Sequence, residues 1–332
     1  MVAPGESIQA AIDGAGAGAT IVVRPGIYQE NVTITEDDVT LIGIGVTLEE
    51  PDAPTPGPCV DPEDPEINGI CVLGPLDPDT QEPVGSVHNV SVIGFTVRGF
   101  SGIGVVLFGA DNTLVQYVDA EDNGSYGITA FSSTGTRFLN NRASGSEEAG
   151  FYIGDSPDAQ ATLAGNVAED NELTGYLLRD ASFGHLTENQ AHGNCAGVIV
   201  LDTGEPGPAM GWNLQTNGFV ANNAACPALE EEDFPAMSGT GVLLAGAQYT
   251  TVNENLILDN VPSGDTPFGG GVRLFDTTSF GGSVPQANLV SGNVVQGNQP
   301  ADIIDDGTGQ QNQLLGNLCT TSIPGGLCTP SP

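Results

Sequence analysis

A short phrase recurs along this chain at a nearly constant interval, and that interval constrains the fold more than any other feature. Aligned on a glycine, it reads Gly104-Val105-Val106-Leu107-Phe108, Gly127-Ile128-Thr129-Ala130-Phe131, Gly150-Phe151-Tyr152-Ile153-Gly154, Gly175-Tyr176-Leu177-Leu178-Arg179 and Gly197-Val198-Ile199-Val200-Leu201. Successive glycines stand 23, 23, 25 and 22 residues apart, and the frame continues with longer excursions at Gly241, Gly271 and Ala301. Each unit also carries a run ending in asparagine, as at Asn140-Asn141, Asn189 to Asn194 and Asn293 to Asn298. A unit this short, with no helical period, cannot bury its own apolar side, so the units must stack. Stacking in register makes parallel sheets with strands about 4.8 Å apart. The recurrent asparagines then form amide ladders from coil to coil.

The expected architecture is all-β, a parallel solenoid forming one unit over residues 1–332. Ser7 in front of Ile8-Gln9-Ala10-Ala11-Ile12 predicts a short helix over residues 6–13, which covers the open apolar end of the stack. Loop insertions are expected at 49–87, 203–211, 226–238 and 261–286, the third containing Glu230-Glu231-Glu232-Asp233. Long loops on a solenoid build the walls of its binding face.

Charge narrows the partners. Six basic side chains, all Arg, stand against 42 acidic ones, for a net charge of -36. Nucleic acid is excluded as a partner because six cations cannot neutralise a phosphate track. A bare anionic membrane surface is disfavoured for the same reason, and no apolar run reaches the ~18 residues of a membrane span. The six cysteines fall into local pairs, Cys59 with Cys71, Cys195 with Cys226 and Cys319 with Cys328, none with the spacing of a metal or redox site. Such a set suits an oxidising compartment, so the protein is read as secreted. The start, Met1 to Gly5, lacks a basic and an apolar leader region, the pattern expected once a signal peptide has been removed.

The opening Ser7 to Asp13, followed by Ala19-Thr20-Ile21-Val22-Val23-Arg24-Pro25-Gly26-Ile27-Tyr28, resembles the start of the pectate-lyase-like right-handed parallel β-helix superfamily. Ala149 to Pro157 is similar to secreted actinobacterial β-helix repeat proteins, a group that mostly lacks an assigned activity. The resemblance implies a right-handed β-helix and, for function, a polysaccharide or cell-surface glycan as partner, with lyase- or epimerase-like chemistry or non-catalytic binding as alternatives.

Strand alternation sorts the repeated phrase into inward positions, one and three after the glycine, and outward positions, two and four. The outward set holds Phe131, Tyr152, Arg179 and Arg273, and aromatics with Arg can hold a sugar ring by stacking and carboxylate pairing. Five residues after the glycine comes a column of Asp155, Asp180 and Asp202. Stacked carboxylates call for a cation such as Ca²⁺ or a raised pKa, unless each Asp closes its strand through an Asx-turn. The resemblance implies neutralisation of a uronate carboxylate, a base for the C5 proton and an acid on the other side. Tyr152, Asp155, Arg179, Asp180 and His185 are the candidates for those roles. Phe131, Trp212 and Arg273 are expected to bind substrate, and Asp155, Asp180 and Asp202 to hold a metal. The segment Tyr152-Ile153-Gly154-Asp155-Ser156-Pro157-Asp158 is similar to the superfamily's epimerase motif Tyr-Gly-x-Asp-Pro-His in its Tyr-to-Asp spacing, with the Gly displaced, a Ser interposed and no His.

Overall fold

A computed structural model describes residues 1–60, 66–228 and 235–329. The chain winds into a right-handed parallel β-helix whose coils present three sheets, here A, B and C in the order the chain visits them from Thr20 onward. Within coils, Arg137–Leu139 lies in sheet A, Arg142–Ser144 in B and Ala149–Ser156 in C. Every pairing between the strands of these sheets is parallel and joins one coil to the next. Ile8–Ala15 is the one α-helix of the described residues, capped by the Ser7 hydroxyl, which accepts from the Ala10 N–H at 3.0 Å. Ile8 and Ile12 turn inward and close the end of the stack.

Alternation along each strand sends one row of side chains into the core. In sheet A, Val115, Phe138, Leu163 and Leu186 stand in register, and in sheet C so do Ile128, Phe151, Tyr176 and Val198. The Phe151 and Tyr176 rings stack at 5.1 Å. The buried Tyr176 phenol donates to the Asn166 carbonyl at 2.9 Å, so the polar tip inside the core is satisfied.

The expected amide ladders are present at two corners. Asn141, Asn166, Asn189, Asn217, Asn255, Asn293 and Asn317 form one, each side-chain N–H donating to the next side-chain oxygen at 2.9–3.1 Å. Asn171, Asn194, Asn222, Asn260 and Asn298 form the second, which ends on Asp302. Corners of the coils also hold residues at positive φ. At the end of sheet C these are Gly109, Ser132, Asp155, Asp180 and Gly246. Glycine, Asn and Asp bear that conformation most cheaply, which gives a turn-based reason for Asp at 155 and 180.

Cys59–Cys71, Cys195–Cys226 and Cys319–Cys328 are disulfides. The expected insertions at 49–87 and 261–286 need correction, because Ile70–Leu73 inside the first and Gly270–Phe275 inside the second are strands of sheet C, paired with Val105–Phe108 and Thr240–Ala245. The acidic run Glu230 to Asp233 lies outside the described residues.

Candidate functional site

The outer face of sheet C is where loops and functional side chains meet. Register places Thr129, Tyr152, Leu177 and Ile199 in one outward row, continued by Leu243 and Arg273. These outward residues are not open to solvent as a bare face. A second apolar cluster covers them, with Cys195, Cys226, Met237 and Phe268 packing on Tyr152, Leu177, Ile199 and Leu243. Two cavities remain on this face. One, of about 470 Å³, has an apolar floor including Ile199, Leu243 and Phe275, with Arg179 on its lining and Phe268 and Phe280 beside it. The other, of about 700 Å³, is lined by residues including Val106, Phe108, Phe131, Asp155 and Glu205.

Arg179 lines the first cavity and Asp155 the second, while Tyr152 is buried and lines neither. Gly154 is the register partner of Arg179 on the next coil. The Tyr152 ring lies over Gly154, so close that a Cβ there would be 2.2 Å from the phenolic oxygen. The ring is 2% exposed, stacked on Tyr126 at 5.0 Å and met edge-on by Phe131 at 4.8 Å. Burial holds its phenol well above the ordinary value, Asp155 reinforces this and Arg179 opposes it. Asp155 is half-buried, and burial raises its carboxyl above the usual range against the pull of Arg179. Arg179 stays exposed; burial of part of the group works against its charge, but Tyr152, Asp180 and Asp155 outweigh it and raise its pKa. Among the described contacts only its Nε is engaged, with Asp180 Oδ2 at 3.3 Å.

Several expected site residues are elsewhere. His185 follows Arg179 on the same 14-residue strand, Thr174–Thr187, but that strand turns from sheet C into sheet A, and His185 is exposed on the A face between Thr162 and Asn213. It does not meet Arg179's groove. Trp212 is 1% exposed in the central core, its indole N–H donating to the Ala181 carbonyl at 2.8 Å, and so it cannot stack on a ligand. The reason is strand alternation: the aromatic follows Gly184 in the inward row of sheet A, and a Cβ on Gly184 would be 2.3 Å from the indole. Arg273 shares the outward row but stands three coils beyond Leu177. Its buried Nε has no partner among the described residues, and burial lowers its pKa against the pull of Asp306.

The three residues of the Asp column are held in different ways. Asp180 is fully buried and accepts from the Thr203 N–H at 2.7 Å, the Thr203 hydroxyl at 2.5 Å and Arg179, so it ties two coils together. Burial raises its pKa, Thr203 and Arg179 oppose this, and Asp202 adds to it. Asp202 is 1% exposed; one oxygen accepts from the Gly204 N–H at 2.8 Å and the other has no partner among the described residues. Among the described residues no group of three or more His, Cys, Asp or Glu is arranged to hold a metal. The trio does not fit the expected calcium site. Sequence reasoning missed Tyr126, which stacks on Tyr152, and Thr203, which locks Asp180. Neither stands in the repeated phrase.

Comparison with known proteins agrees with the fold. A family model described as a right-handed beta helix region matches residues 84–208. No curated protein matches the chain by sequence. Among solved structures, the A-module of a mannuronan C-5 epimerase from Azotobacter vinelandii is similar at 18% identity and a TM-score of 0.58, covering 98% of this chain and 95% of that one. The catalytic unit of an α-1,3-glucanase from Streptomyces thermodiastaticus gives a TM-score of 0.63 at 16% identity, over 95% and 66% of the two chains. An exopolygalacturonase from Yersinia enterocolitica gives 0.58 at 12%, over 95% and 73%. At these identities the likeness is one of fold.

Proposed function

We propose that the protein is an extracellular carbohydrate-active β-helix that holds a saccharide chain on the outer face of sheet C and moves a proton at a uronate unit beside Arg179. The observation that carries this reading is the grouping, on neighbouring coils, of a guanidinium with one engaged nitrogen on one cavity, a carboxyl of raised pKa on the other and a buried phenol of raised pKa. The similar epimerase, glucanase and polygalacturonase structures support a polysaccharide ligand. Three disulfides support an oxidising compartment.

In this reading Arg179 pairs with the substrate carboxylate and stabilises the negative charge that spreads onto it when the adjacent C5–H bond breaks. Asp155, ionised but made more basic by burial, takes the C5 proton. Tyr152 remains protonated at neutral pH and donates its proton, either back to C5 on the opposite side or to the departing glycosidic oxygen. Asp180 orients Arg179 through the Nε contact without touching substrate.

The test is incubation of alginate and polygalacturonate in deuterated water. Deuterium at C5 reports proton transfer, and an ultraviolet-absorbing unsaturated product reports elimination. Arg179→Ala should abolish both signals and leave the melting temperature within about 1 °C, because an exposed Arg contributes little to packing. No exchange on any uronan by the unaltered protein refutes the proton-transfer reading. Burial of the Tyr152 ring under Tyr126 and Phe131 favours a second reading, a binding module without turnover; it predicts retention on the same polymers with no exchange.

A further inference from the structure

The corner leading from sheet C into sheet A carries one residue per coil at positive φ: Asn89, Asn112, Gly135, Gln160, Phe183, Gly211, Tyr249, Ala287 and Gln311. Four of the nine are Gly or Asn, the types such a corner favours. Phe183 at φ 64° and Tyr249 at φ 50° are not, since a bulky side chain in this conformation is strained. Both rings are also exposed, at 48% and 53%. Burial therefore does not explain their presence, and neither does backbone preference. Gly211 stands on the coil between them, so their backbone positions lie about 10 Å apart along the axis. The Phe183 ring leans over Gly211, where a Cβ would lie 2.8 Å from it, and so only glycine leaves the ring this position. Beside Phe183 lies a recess of about 520 Å³ lined also by Asp158, Gln160 and His185.

We infer that this corner is a second saccharide-binding strip, outside the sheet C groove, and that its ligand is a neutral glycan strand. Each aromatic face offers a platform for the C–H side of a pyranose ring. The amide of Gln160, the imidazole of His185 and the carboxylate of Asp158 supply donors and acceptors for hydroxyls at the ring edge. The lining has no Lys or Arg and the molecule carries -36, so a polyanion is the wrong chemistry here. His185, absent from the sheet C groove, has its place in this strip.

Affinity electrophoresis through gels containing soluble starch or 1,3-β-glucan tests the inference. At least one polymer should retard the protein. Phe183→Asn and Tyr249→Asn should each weaken retardation roughly two- to tenfold, the double variant more, and Arg179→Ala should leave it unchanged. Because Asn accepts positive φ, both variants should melt no lower than the unaltered protein. The inference is overturned if neither polymer retards the protein, if Arg179→Ala removes retardation, or if the double variant keeps it. It is also overturned if Phe183→Asn lowers the melting temperature and leaves retardation intact, which assigns the ring to the fold. Self-association lost in the double variant, with no glucan effect, assigns the strip to a second copy of this chain instead.

Discussion

Gly154 has no side chain because Tyr152 occupies the space, and this couples one backbone position to the phenol of the candidate site. Gly154→Ala would push the Tyr152 ring away from the strand position that pairs with Arg179. Displacement by about 1 Å is expected to lower C5 exchange about 100-fold, read as a fall in kcat in protein that still folds, with a lowered melting temperature because the displaced ring is buried under Tyr126 and Phe131. The pH profile tests the base. Asp155's pKa is raised by burial, so the rising limb of activity should lie above the ordinary carboxylate range. Asp155→Asn should remove that limb together with the activity. The same shift has a stability sign. A carboxyl whose folded pKa is raised favours the fold below its unfolded pKa and loses that contribution as pH climbs through the folded value. Asp155→Asn should therefore flatten the decline in stability through that window, measured by denaturant titration at several pH values.

At the scale of the elements, the amide ladder is the device that keeps coils in register. Asn189 accepts from the Asn166 backbone and side chain, both at 2.9 Å, and donates to the Leu163 carbonyl at 2.8 Å. Asn189→Ala leaves those buried partners unpaired, at a cost of about 1–3 kcal/mol. Gln190→Ala, one residue along and exposed, should stay within about 0.5 kcal/mol, and urea midpoints compare the two. This ladder was legible in the sequence because asparagine spacing follows the coil period, and the inward rows were legible because strand alternation is strict. What alternation does not mark is a change of sheet inside one strand. Thr174–Thr187 runs on without a break, so Arg179 and His185 look like neighbours and end on different faces. Trp212 was misplaced for a different reason: it looks like a loop residue beside an insertion, yet it falls in the inward row of the strand Met210–Gln215. The loop cover on sheet C was illegible for another reason: Met237 and Phe268 are far in sequence from the Tyr152 and Leu177 they help bury, and loops have no period.

Across the whole molecule, 42 acidic side chains against six Arg set a field that opposes both the compact state and a polyanionic substrate. Pairing relieves it locally. On sheet B, Arg142 binds Asp119 at 3.0 Å and also Glu169, and Arg98 binds Glu49, yet most of the acids have no cation to meet. Two salt effects follow with one cause. The Debye length falls from about 10 Å at 0.1 M to about 3 Å at 1 M, so added NaCl screens repulsion among surface carboxylates and should raise the melting temperature steadily over that range. Screening also lets an anionic chain approach, and of the described residues lining the two cavities Arg179 is the one cation that receives it. Turnover of a uronan should consequently show kcat/KM rising with salt up to the point where screening weakens the Arg179 pair itself, the reverse of an enzyme that steers an oppositely charged substrate. Retardation by a neutral glucan at the Phe183 corner should not change with salt. Stopped-time assays on uronan and affinity gels on glucan, run at the same salt concentrations, check both halves. A kcat/KM that falls monotonically from the lowest salt would mean that attraction to Arg179 outweighs the field of the whole protein, and would place the uronate site in a more positive environment than its sequence allows.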